Sequence, residues 1–306
     1  MSRIHEALKR AEQERAANQG GAMPPVPAIT PVDAGAAAEE PASPAASSNS
    51  ATPFFASPFS VEAMLTRSQQ LEWKPDMATM LFMNGDDSGR GTEEFRTLRS
   101  RLYHLREKMT LKTLLVTSAL PKEGKSFTSA NLAHVLVRQH GRRVLLIDAD
   151  LRGPRLHEML GTTAGPGLSD YLQGKTDEFS IMQRGPQENL FFIPSGTGIE
   201  DPSELVGSGR LKMLLQRVEA LFDWIIVDSP PAVPVSDASV LAKDCDGVLM
   251  VVRSNSTPAD VARRARQEFP DQMLVGVVLN GTRDEAIPYA RYYYETYQKK
   301  GPATKA

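Results

Sequence analysis

From residue 112 onward, apolar runs alternate with helical patterns along the chain. Continuous runs of Val, Leu and Ile near 113–117, 143–148, 190–194, 223–228, 247–252 and 274–279 lack the in–out alternation of half-exposed strands. They fit parallel strands covered on both faces. Residues near 125–139, 209–221, 236–243 and 258–267 fill the gaps with helical character. The predicted fold class is α/β, a mostly parallel sheet with helices on both faces. Right-handed crossovers then put the C-terminal ends of the strands on one rim.

Ahead of this region, Glu93 opens a predicted helix that reaches Leu105, with Phe95, Leu98, Leu102 and Leu105 on one face. Glu93, Arg96 and Arg99 form a stripe on the other side, where pairing at three-residue spacing alone would explain them. Residues 61–90 give a mixed pattern, with Met80 to Met83 a candidate edge strand. Residues 17–60 are rich in Ala, Pro, Ser and Gly without a periodic apolar face, which predicts a flexible linker. Phe54, Phe55 and Phe59 are the exceptions, suited to pinning its end to the core. At the start, Ile4, Ala7, Leu8 and Ala11 fall at helical spacing among charged residues. The expected organisation is an amphipathic helix at 1–16, a linker and weakly ordered lead-in at 17–87, an α/β domain at 88–285 and a tyrosine-rich tail at 286–306.

Composition narrows the picture. A chain of 306 residues holds one domain of about 200 residues plus appendages. The net charge of −2 gives no general attraction to nucleic acid or to an anionic membrane. Cys245 is the single cysteine, so no internal disulfide forms and a reducing cytoplasm suits the chain. No apolar run approaches the roughly 18 residues of a membrane span, and the charged N-terminus does not resemble a signal peptide. Membrane association would need a partner or a surface helix.

Chemistry concentrates where the first strand ends. Leu115-Val-Thr-Ser-Ala-Leu-Pro-Lys-Glu-Gly124-Lys125-Ser126 reads as strand, phosphate loop and helix start. Pro121, Lys122, Glu123, Gly124, Lys125, Ser126 and Phe127 are the expected nucleotide-binding residues. Gly124 lets the backbone approach a phosphate, Lys125 supplies a point charge, and the Ser126 hydroxyl suits Mg²⁺. Two acidic strand ends follow, Asp148-Ala-Asp150-Leu-Arg152 and Asp228-Ser-Pro-Pro231. Each carboxylate alone reads as a turn or cap residue; together with the loop they converge on one rim as an ATP-handling site. Ser126, Asp148 and Asp228 are the candidate Mg²⁺ residues. Of Asp148 and Asp150, one would orient the metal while the other takes a proton, with Asp148 the favoured base. Arg152 either neutralises transferring charge or pairs with Asp150. Five of the 7 tyrosines crowd into the C-terminal segment, at Tyr289, Tyr292, Tyr293, Tyr294 and Tyr297. They cannot share one helical face, and they read as exposed phosphoacceptors.

The loop departs from the standard pattern, with Ala119 where a first Gly is usual and Leu120 where partition ATPases carry a second lysine. With Asp148 in the strand after the loop's helix, the chain resembles the deviant Walker class of P-loop ATPases. The single cysteine excludes the iron-protein branch, which needs thiolates for its cluster. The loop, the two acidic strand ends and the tyrosine tail, over roughly 88–297, resemble the bacterial tyrosine autokinases of exopolysaccharide and capsule assembly. The first fifteen residues are similar to the non-fused kinases of exosortase-type systems. The resemblance implies that Glu93, Arg96 and Arg99 form a ring-assembly motif and that Asn280 contacts adenine. It also implies ATP and Mg²⁺, a membrane chain-length regulator that recruits and activates the chain, and a cognate phosphatase. The protein would then lie in the cytoplasm at the inner face of the membrane. Lys122 departs from the glycine common in that family. A partition-type switch ATPase, which would not modify its own tyrosines, is the competing expectation.

Overall fold

The computed structural model of the chain describes residues 60–82 and 89–282. The N-terminal helix, most of the linker and the tyrosine cluster therefore lie outside the described residues.

An eight-stranded sheet organises these residues, in the order β1-β4-β5-β3-β6-β2-β7-β8. The strands are β1 (Gln69–Gln70), β2 (Thr113–Ser118), β3 (Val144–Asp148), β4 (Gln183–Arg184), β5 (Leu190–Ile193), β6 (Trp224–Asp228), β7 (Gly247–Arg253) and β8 (Leu274–Asn280). Every pairing is parallel except β4 with β5. The five central apolar runs are buried on both faces for the predicted reason. Leu115, Leu145 and Ile225 point into one core, while their neighbours Leu114, Leu146 and Ile226 point into the other. Edge strand β8 is the exception, with Val277 and Leu279 more than half exposed at 54% and 57%.

The helices are α1 (Val61–Arg67), α2 (Arg90–Arg106), α3 (Lys125–Val137), α4 (Leu156–Leu160), α5 (Leu168–Leu172), α6 (Pro202–Gly207), α7 (Arg210–Val218), α8 (Asp237–Ala242) and α9 (Ala259–Gln267). The phosphate-loop helix α3 is buried along almost its whole length. Small Ser, Thr and Ala residues let it sit beneath α2 and against the sheet. Helix α2 starts three residues before Glu93 and buries Phe95 and Leu102 as the pattern predicts.

The lead-in is where sequence and structure part. Residues 60–82 form no loose approach; they pack onto the α/β unit. Ser60 caps α1, accepting from the Ala63 amide at 3.1 Å. Met64, Trp73, Met80 and Phe82 are buried. The strand expected at Met80–Met83 is absent from its described part, since Met80 is irregular and Leu81 and Phe82 lie in a turn, and the strand of this segment is β1 instead. The amides of Lys74 and Asp76 donate to Gly161 and Met159, and Asn131 of α3 ties both the Thr79 carbonyl and the Leu81 amide. These partners are 50 or more residues away along the chain, so no local pattern announces them.

Candidate nucleotide and phosphoryl-transfer site

The phosphate loop is shaped by two unusual backbone positions. Gly124, at φ 96°, precedes α3, and a Cβ there would lie 2.1 Å from the Asn280 amide nitrogen. Both facts demand glycine. Lys122 also takes a left-handed conformation, at φ 66°, which explains why glycine suits this position. The conformation is held from behind by the ends of β7 and β8. Arg253 Nη1 donates to the Lys122 carbonyl at 3.0 Å, and Asn280 Nδ2 donates to the Glu123 carbonyl at 2.8 Å. The Glu123 carboxylate is buried; it accepts from the Leu120 amide at 2.8 Å and from the Thr257 hydroxyl. Glu123 and Asn280, expected at the nucleotide, thus brace the loop that would carry it.

Inside the loop, Lys125 Nζ lies 2.6 Å from Asp150 Oδ2 and 3.6 Å from Asp228 Oδ2. Ser126 Oγ donates to Asp228 Oδ2 at 2.6 Å, and Ser129 Oγ donates to Asp228 Oδ1 at 2.9 Å. Ser129 was not expected, although it stands one helical turn after Ser126 and so shares its face. Asp148 and Asp228 are wholly buried, and Asp150 is 5% exposed. Burial, followed by the nearby Asp228 charge, pushes the Asp148 carboxyl up to about 8. Burial also raises Asp228 above the usual carboxylate range, against the pull of Lys125. For Lys125, burial works downward, but Asp228 and Asp150 outweigh it and the ammonium is held above its ordinary value.

The two carboxylates of the β3 end divide their work. Asp148 Oδ1 accepts from the Asp150 amide at 3.3 Å and Oδ2 from the Leu156 amide at 3.1 Å, which folds the turn into α4. Asp150 stands on the wall of a cavity of about 650 Å³ that Gly124, Lys125 and Ser126 also line. Arg152 shares that wall but does not pair with Asp150, as one reading of the sequence had it; its partner is Asp237, at 2.7 Å. Asp76 and Thr79 of the lead-in also border the cavity, a contribution that sequence patterns do not reveal.

Three buried carboxylates around one ammonium and a serine hydroxyl form a hard, oxygen-rich donor set. That set suits Mg²⁺, which favours one or two carboxylates plus phosphate oxygens. Among the described residues, no group of three or more His, Cys, Asp or Glu side chains would hold a metal alone. The Glu93–Arg96–Arg99 stripe lies elsewhere. Glu93 and Arg96 pair within α2, while Arg99 Nη1 donates to the Val135 carbonyl of α3 at 2.9 Å. Arg99 is therefore anchored inside its own domain. Glu93 and Arg96 line a groove of about 790 Å³ between α2 and β8, which carries none of the phosphate-loop residues and none of Asp148, Asp150 and Asp228.

A parallel sheet with a phosphate loop after its first central strand and acidic ends on the next two defines a P-loop NTPase. The ParA family profile, described as "NUBPL iron-transfer P-loop NTPase", matches residues 110–283. Within that class the chain belongs to the bacterial tyrosine-protein kinases. It is 34% identical to tyrosine-protein kinase YwqD of Bacillus subtilis over 194 residues, covering 63% of this chain and 81% of that one. It is 32% identical to tyrosine-protein kinase wzc of Salmonella typhimurium, covering 72% of this chain and 31% of the relative. The solved kinase domain of Escherichia coli tyrosine kinase ETK aligns with a TM-score of 0.61 at 31% identity, covering 66% of this chain and 80% of that one. The chain thus spans most of YwqD but about a third of wzc. Among the described residues, no helix is long and apolar enough to cross a membrane.

Proposed function

We propose that the chain is an ATP-dependent autokinase that phosphorylates the tyrosines of its own C-terminal cluster, from one subunit to the next. The observation that carries this reading is the buried Lys125–Asp150 contact beside Ser126 and Asp228. The loop amides and Lys125 bind the β- and γ-phosphates. Ser126 and Asp228, with Asp148 behind them, are the residues suited to Mg²⁺, which when bound supplies charge neutralisation at the phosphate oxygens.

Phosphate binding draws Lys125 from Asp150 and frees that carboxylate on the cavity wall. The tyrosine oxygen then attacks the γ-phosphorus, the bond to the bridging oxygen breaks, and ADP leaves. The phenolic proton passes to Asp150 on the cavity wall, while the wholly buried Asp148, the base favoured from sequence, accepts from the Asp150 amide behind it and positions it. Tyr289, Tyr292, Tyr293, Tyr294 and Tyr297 are the acceptors. Each phosphotyrosine adds about −1.5 to −2 charges, so five add roughly −8 to −10 to one tail. Charge of that size drives modified tails from a neighbour's site and loosens a ring held by the Glu93 and Arg96 face of α2. Recruitment to the inner face of the membrane falls to a chain-length regulator, with a phosphatase resetting the tail during exopolysaccharide synthesis. The ParA family match keeps a switch ATPase as the second reading; Leu120, in place of that class's early lysine, weighs against it.

Phosphotyrosine mapping by mass spectrometry tests the proposal, comparing wild type with Lys125→Ala, with and without the regulator's cytoplasmic segment. Phosphate on Tyr289 to Tyr297 that disappears in Lys125→Ala, with at least about a 100-fold loss of activity, is the expected result. An unmodified tail alongside ATP hydrolysis would reassign the chain to the switch ATPases.

A further inference from the structure

Arg152 reaches the cavity wall through a side chain that is gripped from behind. Its Nε lies 2.7 Å from Asp237 Oδ2, and its Nη2 lies 3.3 Å from Asp237 Oδ1. The same Nη2 donates to Ser203 Oγ at 2.6 Å, and that hydroxyl donates to Asp237 Oδ1 at 3.1 Å. Three side chains from three separate stretches close one ring of hydrogen bonds. Asp237 opens α8, Ser203 lies in α6, and Arg152 follows β3.

The exposures are unequal, and this decides what the ring does. The Asp237 side chain is 2% exposed while that of Arg152 is 40% exposed. An arginine that swung away to meet a ligand would leave a buried carboxylate without its cation, which is far costlier than losing a surface pair. The grip is therefore a mounting and not a releasable latch. A guanidinium held by one edge keeps its planar fork in a fixed orientation, with less side-chain freedom to lose when charge develops beside it. Such a fixed cation acts on the transition state more than on ground-state nucleotide binding.

We propose that Asp237, assisted by Ser203, is the positioning residue that sets Arg152 against the phosphoryl group in transfer. The proposal rests on the phosphoryl-transfer reading of the site given above. It assigns Asp237 no contact with nucleotide or tyrosine; its effect passes through Arg152.

A double-mutant cycle on the full chain tests it, with wild type, Asp237→Asn, Arg152→Ala and the double variant. Tail phosphorylation and ATP hydrolysis are both measured, kcat and ATP KM are separated, and thermal melting is recorded. Asp237→Asn keeps the shape and an acceptor oxygen but removes the charge. Misplacing the cation is expected to lower its kcat about 10- to 100-fold with KM changed less than about threefold. The double variant should be no slower than Arg152→Ala alone. Additive losses, an unchanged kcat in Asp237→Asn, or a loss that appears in KM alone would overturn the proposal. Should Asp237→Asn fail to fold, Ser203→Ala, at an exposed hydroxyl, completes the same cycle and is read by the same criteria. Wild type that hydrolyses ATP without making phosphotyrosine would sink the kinase reading separately, since the cycle can still be scored on hydrolysis.

Discussion

His134, inside α3, is 1% exposed and has one satisfied ring nitrogen. Nδ1 contacts the Ala130 carbonyl at 3.1 Å, while Nε2 is buried without a hydrogen-bond partner among the described residues. Burial holds its pKa down to about 4, from an ordinary 6.5. Between those values the unfolded chain binds a proton that the folded chain refuses, so stability falls as pH drops from 6.5 towards 4. The full difference is on the order of 3 kcal/mol. Urea unfolding at pH 7 and pH 4.5 should show most of that loss in wild type, and His134→Leu should lose less by about the same amount. Equal pH sensitivity in both proteins would refute the assignment. At this scale, Lys125, Ser126 and Asp228 were legible because their signals are local: a glycine-ended loop, a helix start and a strand end. The partners of Glu123 and Arg152 were not, because Thr257 and Asp237 lie 134 and 85 residues further along the chain.

Among the elements, the central strands were readable because continuous apolar runs have few other uses. Helix α2 was readable for its face but not for its contacts. Periodicity put Arg99 on a polar stripe, and packing turned its guanidinium onto the Val135 carbonyl of α3. The lead-in was least legible, since the Gln69 and Gln70 side chains and the Lys74 and Asp76 amides bond to distant backbone and its apolar residues follow no period. Asn131 is the test of that element. Its Oδ1 accepts from the Leu81 amide at 2.9 Å and its Nδ2 donates to the Thr79 carbonyl at 2.9 Å. Asn131→Ala should cost about 1–3 kcal/mol by stranding these groups. Hydrogen exchange at Leu81 should accelerate well beyond the change at the β2 amides. Unchanged protection at Leu81 would show that the segment is held some other way.

For the whole molecule, the consequence of that packing is a domain that begins before residue 88. A protein starting at residue 88 discards Met64, Trp73, Met80 and Phe82, all buried. Large side chains contribute about 1.5–3 kcal/mol each when fully buried, so such a truncation should be several kcal/mol less stable than one starting at Ser60. Chemical denaturation of the two truncations checks this, and equal midpoints would return the lead-in to linker status. The sheet order has a parallel lesson. Crossover rules place the C-terminal ends of the parallel central strands on one rim, but they do not say that β6 comes between β2 and β3. That adjacency sets Asp228 beside Asp148, since the two are register partners.

The sequence by itself determined the α/β class, the phosphate loop and the acidic strand ends. Each follows from residues within one turn or strand of each other, where backbone geometry leaves few alternatives. Only the tertiary structure decided which carboxylate holds which cation, how the loop is braced, and where the domain starts. Those outcomes depend on burial, which sets the cost of leaving a charge or amide unpaired and is the sum of contacts from the whole chain.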